Sequence, residues 1–257
     1  MTLTEVAPGV WTRTARLWTS LTTVVVADGG CLLVDPGITI GEVDALADEL
    51  ATNAWRVDAG FATHPHWDHL LWGPGLGSAT RWATAPAVRH AAATRAHVLE
   101  CTEHDAPGHD PRLVGAITPL PDDAREVPWE GRPAVVVPYR GHCPGGAALL
   151  LPDCGVLVLG DMLSDTEVPL LDLEAPDPIG DYRAGLDTLE SAARDADVRV
   201  LVPGHGTVGG RADLHLRADA DRAYLDALDR GREPTDPRLT NPWIITEHRA
   251  QVLWATR

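Results

Sequence analysis

Three histidines and an aspartate fall within six positions of the segment ATHPHWDHLLWG, residues 62–73: His64, His66, Asp68 and His69. The whole chain holds only 11 His in 257 residues, so the clustering calls for a chemical reason. Neutral imidazole and carboxylate are ligands that zinc and related divalent ions prefer, and a catalytic ion keeps one position open for water. His64 and His66 are two apart, so an extended or turning segment leans both to one side. Asp68 and His69 follow at once and can serve the same ion or a neighbouring one.

Further candidates lie downstream. YRGHCPGG sets His142 in a Gly-flanked turn after a strand-like run. VLVLGDM puts Asp161 at the end of a very apolar strand, and VLVPGHGTV puts His205 in another strand-to-loop turn. Small neighbours allow the backbone to come close at each of these turns, where a rigid scaffold presents side chains. Five His and two Asp suit two adjacent metals better than one.

The elements that must carry these residues read as follows. GVWTRTA and SLTTVVVADGGCLLVDPG are strands joined through the hairpin signal Asp28-Gly29-Gly30. TIGEVDALADELATN has helical spacing, with Val43, Leu46, Ala47 and Leu50 on one face. VDAGFAT returns to strand and delivers the chain to His64. HLLWGPGLG starts as a helical turn that Gly73-Pro74-Gly75 breaks. APAVRHAAATRAHVLE is expected to be one helix, and residues 101–132 a long surface loop or lid. PAVVVPY, AALLLPD and GVLVLGD are strands, GDYRAGLDTLESAARDAD a helix, VRVLVPGHG a buried strand and RADLHLRADADRAYLDALDRG a closing helix. With no Ser/Gly linker and no composition break, residues 1–257 are expected to form one domain of two similar halves. Its core spans about 9–230, and the Trp- and Ile-containing tail 233–257 packs on it.

Composition narrows the partners. Asp plus Glu number 37 against 21 basic residues, all of them Arg, for a formal charge of −16. Such a surface repels phosphate backbones, and no basic stripe offsets it, so nucleic acid is disfavoured and no nucleic-acid partner is expected. No apolar run approaches the roughly 18 residues of a membrane span. MTLTEVAPGVW shows no export signal, and the four Cys are widely spaced without a C-x-x-C pair. A cytoplasmic protein with reduced thiols and a small-molecule substrate is the expectation, with the oligomeric state open.

The string THPHWDH, GHCPGG, GD and PGHG, with LLVDPG before it, resembles the metallo-β-lactamase superfamily over residues 9 to about 230. The resemblance implies an α+β fold, a four-layer αββα sandwich of two mixed β-sheets with flanking helices. It implies that His64, His66 and His142 bind a first metal and that Asp68, His69 and His205 bind a second. Asp161 would bridge the two. Zinc is the expected ion, with iron or manganese as alternatives. Cys143 stands where relatives often carry a hydroxyl residue; a small packed side chain is the preferred reading over a soft extra ligand. Asp35 of LLVDPG is a candidate to hydrogen-bond a ligand imidazole from behind, with a plain turn role the alternative.

Charge then suggests a mechanism. Two ions, two aspartates and one bridging hydroxide leave about +1 at the centre, enough to make hydroxide available near neutral pH. That hydroxide would attack an electrophilic carbonyl or phosphorus, with Asp68 orienting it and relaying its proton. The leading expectation is a dinuclear metal-dependent hydrolase of a small ester, thioester, lactone or amide. The alternative is a mononuclear iron oxidoreductase like the persulfide dioxygenases, which share the scaffold; retention of all seven ligands favours two metals. A non-catalytic member would be expected to have lost ligands. Flavodiiron proteins need a further domain, and tRNA-processing nucleases are disfavoured by the charge. Hydroxyacylglutathione hydrolases usually hold substrate carboxylates with basic residues, often Lys, which this chain lacks. True β-lactamases are usually exported and often use a basic residue for the same purpose, a part Arg could play.

Other residues invite a role without requiring one. His90, His97, His104, His109, His215 and His248 are expected at solvated or core-edge positions, with His104 and His109 possible pocket residues. Trp67 and Trp72 are candidates for an aromatic wall, and Tyr139 or Arg140 for contact with a substrate oxygen. Asp165 and Glu167 are expected to be mainly solvated loop carboxylates, with a place on the pocket rim the alternative.

Overall fold

The longest apolar runs become strands buried on both faces, and period-two alternation sends their side chains in two directions. The structure, a computed structural model, describes residues 2–256; Met1 and Arg257 of the expected 1–257 span lie outside the described residues. The first sheet holds β1 (Thr4–Ala7), β2 (Val10–Thr14), β3 (Leu21–Ala27), β4 (Gly30–Val34), β5 (Arg56–Phe61), β6 (Thr80–Ala83) and β7 (Thr118–Pro119), in that spatial order. Its first four strands are antiparallel and its last four run parallel, so the sheet is mixed. The β3–β4 hairpin turns through Asp28 and Gly29, both at positive φ, as the Asp-Gly signal predicts.

The second sheet holds β8 (Val135–Pro138), β9 (Ala147–Leu151), β10 (Val156–Gly160), β11 (Val200–Pro203) and β12 (Gly209–Gly210). It runs β12-β11-β10-β9-β8, with only β10 and β11 parallel. Val25, Leu32 and Val34 of the first sheet meet Leu149, Leu151, Val156 and Val158 of the second in a shared core. The alternate residues face outward. Val24 and Leu33 pack on Val43, Leu46 and Leu50 of α1 (Ile40–Thr52). Leu157 and Leu159 pack with Tyr182, Leu186 and Leu189 of α4 (Pro178–Asp195) and with Leu214 and Leu225 of α5 (Arg211–Asp229). The result is the expected αββα order of layers.

Two expectations along the chain change, and a third gains detail. The helix expected over APAVRHAAATRAHVLE is two, α2 (Ala85–Ala93) and α3 (Arg95–Asp105), separated at Thr94. Thr94, at φ −98° and ψ 11°, closes α2 through its N–H and hydroxyl on the His90 carbonyl and opens α3. Residues 101–105 of the supposed lid complete α3, and the remainder includes β7 at the sheet edge. The tail forms α6 (Pro242–Ala255), which starts at an Asn241 cap. Gln251 fastens α6 to the body: its Oε1 accepts from Leu171 N at 2.8 Å, and its Nε2 donates to the Pro169 carbonyl and Tyr224 hydroxyl.

The two sheets also join where their strands end. Leu21 N donates to the Gly204 carbonyl at 2.7 Å, and Ser20 bridges His205. The loops after β5, β10 and β11 and the turn between β8 and β9 thus converge on one rim of the sandwich.

Candidate metal centre

His64 leaves β5 beside Pro65, which keeps the preceding residue extended. The chain bends over residues 63–66, with His66 itself extended, and then tightens into one 3-10 turn over Trp67–His69. This change of period brings Asp68 and His69 beside one another, while the two earlier imidazoles point to a neighbouring spot. Leu70 and Leu71, both buried, anchor the turn. His142 arrives from the β8–β9 turn, Asp161 directly from β10, and His205 from the loop after β11. Gly160 lies at φ +60°, and a Cβ there would come 2.7 Å from the Tyr139 hydroxyl oxygen. At Gly204 a Cβ would overlap Asp161 Oδ1. The glycines beside Asp161 and His205 therefore make room for the cluster itself.

The structure brings all seven predicted side chains together. In one group His66 Nδ1 lies 3.1 Å from His64 Nε2 and 2.9 Å from His142 Nε2. Asp161 Oδ2 is 3.3 Å from His64 Nε2 and 3.4 Å from His142 Nε2. In the other, His69 Nε2 and His205 Nε2 are 3.3 Å apart, with Asp68 Oδ2 at 3.4 and 3.2 Å from them. Asp161 reaches this group too, with Oδ1 3.2 Å from His69 Nε2. The donor atoms of His64, His66, His142 and Asp161 all lie within 4.8 Å of one another, as do those of Asp68, His69 and His205.

The outer ring nitrogens decide what the inner ones present. His142 Nδ1 donates to the Leu170 carbonyl at 2.9 Å and His205 Nδ1 to the Trp18 carbonyl at 3.1 Å. His69 Nδ1 donates to Asp35 Oδ2 at 2.9 Å. The Thr63 hydroxyl donates to the same carboxylate and so accepts from His64 Nδ1 at 3.0 Å. In their neutral form these four imidazoles therefore turn an unprotonated Nε2 toward the centre. Such lone pairs repel one another and the carboxylates unless positive charge lies among them. Asp161 Oδ1 is buried and accepts no hydrogen bond. A donor set of imidazoles and carboxylates with an orphaned buried oxygen fits divalent metal ions.

The electrostatics agree. Burial opposes ionised carboxyl groups at Asp68 and Asp161, yet the facing imidazoles hold both pKa values well below the ordinary carboxylate range. Burial, and then the charge of His69, pushes His64 down to about 4, and burial keeps His66 well below its usual value. At His69 and His205 burial also disfavours the cation, but Asp161 with Asp68 or Glu167 outweighs it and raises both. Those two nitrogens attract positive charge.

Several sequence expectations are settled by placement. Asp35 takes the hydrogen-bonding alternative, holding His69 directly and His64 through Thr63. Glu167 is a correction: it is buried at 6% exposure, 3.7 Å from His205 Nδ1, and burial lifts its pKa to about 7. The Ser164 hydroxyl accepts from Glu167 N and donates to the His205 carbonyl, which folds the carboxylate inward. The S-x-x-E spacing was a legible turn signal for this. Asp165 stays near the surface and binds Thr207. Trp72 is no wall: it is buried on the α1 side and donates to the Gly77 carbonyl. Tyr139 is buried and donates to the Leu159 carbonyl, and Arg140 is 81% exposed near Asp181. His109 is buried and donates to the Ile38 carbonyl, His248 is buried against Tyr224, and His104 and His215 are exposed. Cys143 is a small buried residue, and all four cysteines are free thiols.

A cavity of about 510 Å³ opens onto the cluster. His66, Asp68, His142, Asp161 and His205 border it, as do Trp67, His90 and His97. Trp18 and Trp243, absent from the sequence expectations, complete an aromatic wall with Trp67. Trp18 and Thr19 both have positive φ, an uncommon conformation for such residues, which sits beside the carbonyl that receives His205. No helix among the described residues is long and apolar enough to cross a membrane.

Known proteins were compared with this chain. A beta-lactamase domain protein from Burkholderia ambifaria superposes with a TM-score of 0.68 at 23% identity, covering 98% of this chain and 87% of its own. The metallo-beta-lactamase FIM-1 from Pseudomonas aeruginosa, solved in a mono-zinc form, gives 0.63 at 18% identity over 87% of this chain and 96% of its own. A metallo-beta-lactamase from Erythrobacter litoralis gives 0.60 at 19%, over 84% and 94%. At these identities the likeness is one of fold. No curated protein matches by sequence. Residues 15–205 match the family description of the metallo-beta-lactamase superfamily, a span that contains all seven clustered His and Asp residues. By that match the chain belongs to the metallo-β-lactamase superfamily.

Proposed function

We propose that this chain is a dinuclear metal-dependent hydrolase that cleaves a small ester, thioester, lactone or amide. The observation that carries the reading is the position of Asp161, whose carboxylate stands within 3.4 Å of imidazole nitrogens from both groups. His64, His66 and His142 would hold one ion, Asp68, His69 and His205 the other, and Asp161 would serve both. Two divalent ions, zinc in the first instance, would supply Lewis acidity and hydroxide at neutral pH. Asp68 remains ionised and borders the cavity, so its carboxylate can orient the attacking oxygen and take up its proton. Asp35 and the carbonyls of Leu170 and Trp18 keep the imidazoles aimed, and the tryptophan wall shields the reacting carbonyl from bulk water. An ester and water would leave as a carboxylic acid and an alcohol.

The test is metal analysis of the purified protein, followed by a panel of activated ester, thioester, lactone and phosphodiester. About two zinc ions per chain and turnover of a carboxylic substrate are expected, both lost in Asp161→Ala and His66→Ala. Activity in metal-free protein would refute the reading. One iron per chain with oxygen uptake would replace it by the mononuclear oxidoreductase alternative.

A further inference from the structure

Beyond Asp68 and Asp161 of the cluster, the cavity has three more carboxylates on its walls, Asp172, Glu174 and Glu247, and no basic side chain other than histidine. Asp172 and Glu174 come from the segment after β10, and Glu247 lies one helical turn beyond Trp243 on α6. None of the three joins an ion pair among the described residues, although this protein forms many elsewhere. No arginine borders the cavity, and the chain has no lysine to reach it. The same walls carry an aromatic surface. Trp18 stands edge-on to Trp67 with ring centroids 5.5 Å apart and is tilted against Trp243 at 5.7 Å. The aromatic wall and Glu247 meet on α6, so one helix presents both a ring and a carboxylate to the same space.

Carboxylates without counter-ions attract a cation, and the faces of tryptophan rings do so too. An anionic substituent would meet those carboxylates, find no guanidinium to pair with, and approach against a net charge of −16. We propose that the substrate carries an ammonium or quaternary ammonium group, received by Glu174, Glu247 and the tryptophan wall while its carbonyl reaches the His/Asp cluster. The proposal rests on the hydrolase reading and names its substrate class. It also separates this cavity from one built for substrates that must be held by a carboxylate.

The test uses zinc-loaded protein and three aryl esters of one leaving group, with acyl chains of equal length ending in trimethylammonium, tert-butyl or carboxylate. The expected order of kcat/KM is cationic, neutral, anionic, with about tenfold between the first two. The cationic-to-neutral ratio should fall toward one in Glu174→Gln/Glu247→Gln and at high salt; being a ratio, it is insensitive to partial misfolding. A second measurement needs no turnover. Tryptophan fluorescence is titrated with an alkyltrimethylammonium ion and with its uncharged tert-butyl isostere, in wild type and Trp243→Leu. Tighter binding of the ammonium, weakened by Trp243→Leu, is expected. A carboxylate-ended ester turned over as well as the cationic one, or a ratio unmoved by the double variant, would overturn the proposal. If no ester is cleaved, the hydrolase reading falls, and the fluorescence comparison alone decides the cation site: equal binding of the two probes overturns it.

Discussion

Asp35 is the residue through which one substitution should reach both halves of the cluster. Its Oδ2 accepts from His69 Nδ1 at 2.9 Å and from the Thr63 hydroxyl at 2.6 Å, and its Oδ1 accepts from Thr63 N at 3.0 Å. Thr63 in turn receives His64 Nδ1. Asp35 is 3% exposed and has φ +48°, a conformation that Asn tolerates, so Asp35→Asn keeps the backbone while changing the hydrogen bonding. Whichever way the amide turns, its NH2 opposes at least one buried donor. Leaving a buried donor unpaired costs about 1–3 kcal/mol. Loss of a partner that aims a metal-ligating imidazole typically weakens metal binding about 10–100-fold, which is about 1.4–2.8 kcal/mol. The two routes agree, so the zinc dissociation constant should rise by one to two orders of magnitude. On the proposed dinuclear reading, an ion held by His69 should weaken more than one held by His64. Metal-free protein titrated with zinc against a chromophoric chelator measures this, with circular dichroism checking the fold. A folded Asp35→Asn protein whose zinc affinities stay within about threefold of wild type would refute the argument.

Gly204→Ala leaves every candidate ligand in place but sets a methyl against Asp161 Oδ1 and 3.0 Å from His69 Cε1. At least a tenfold loss of metal affinity is expected by the same titration, and full retention would show that the crowding is easily relieved. Gln251→Leu removes the partners of Leu171 N and the Pro169 carbonyl, both in the buried attachment of α6. A loss of about 2–4 kcal/mol follows, or roughly 5–15 °C in Tm for a chain of this size, read by calorimetry. Asp221, 1% exposed, is pushed up to about 6 by burial, against the pull of Arg238. Between its unfolded value near 4 and this value, the folded state binds the extra proton. Its contribution is therefore full below about pH 4 and is lost as pH rises through 6. Wild type should lose on the order of 2–3 kcal/mol relative to Asp221→Asn between pH 4 and 7, and urea midpoints that move in parallel would contradict this.

The residues of the cluster were legible in the sequence because each sits next to a local signal. His64, Asp161 and His205 follow apolar runs directly, and His142, Asp161 and His205 have glycine beside them. The same runs, alternating as Val24 outward and Val25 inward, prescribe a sheet covered on both sides. What surrounds the cluster was not legible, because it depends on contacts distant in the chain. Trp243 comes to the cavity because α6 docks on the body, with Ile244 in the core and Gln251 across Leu171 and Tyr224. Glu167 looked like any loop carboxylate until Ser164 folded it under His205. His104 and His109 are five residues apart in one polar stretch, yet one is exposed and the other is buried on the Ile38 carbonyl. Thr94 splits a helix that alanine-rich spacing alone would continue. These placements depend on hydrogen bonds and packing that no periodicity reports.

The residues matched to the superfamily end at His205, while α6 begins at Pro242. The length of chain that assembles the cluster is thus complete before the length that supplies Trp243 and Glu247 begins. The seven clustered residues and the α6 part of the cavity wall lie in separate stretches of the polypeptide, joined through Gln251, the Tyr224–His248 contact and the burial of Ile244. A graft that exchanged residues 242–255 while keeping those attachments would replace the Trp243 and Glu247 part of the wall in one piece and, on the proposed function, test how far that helix alone governs which substrate is taken.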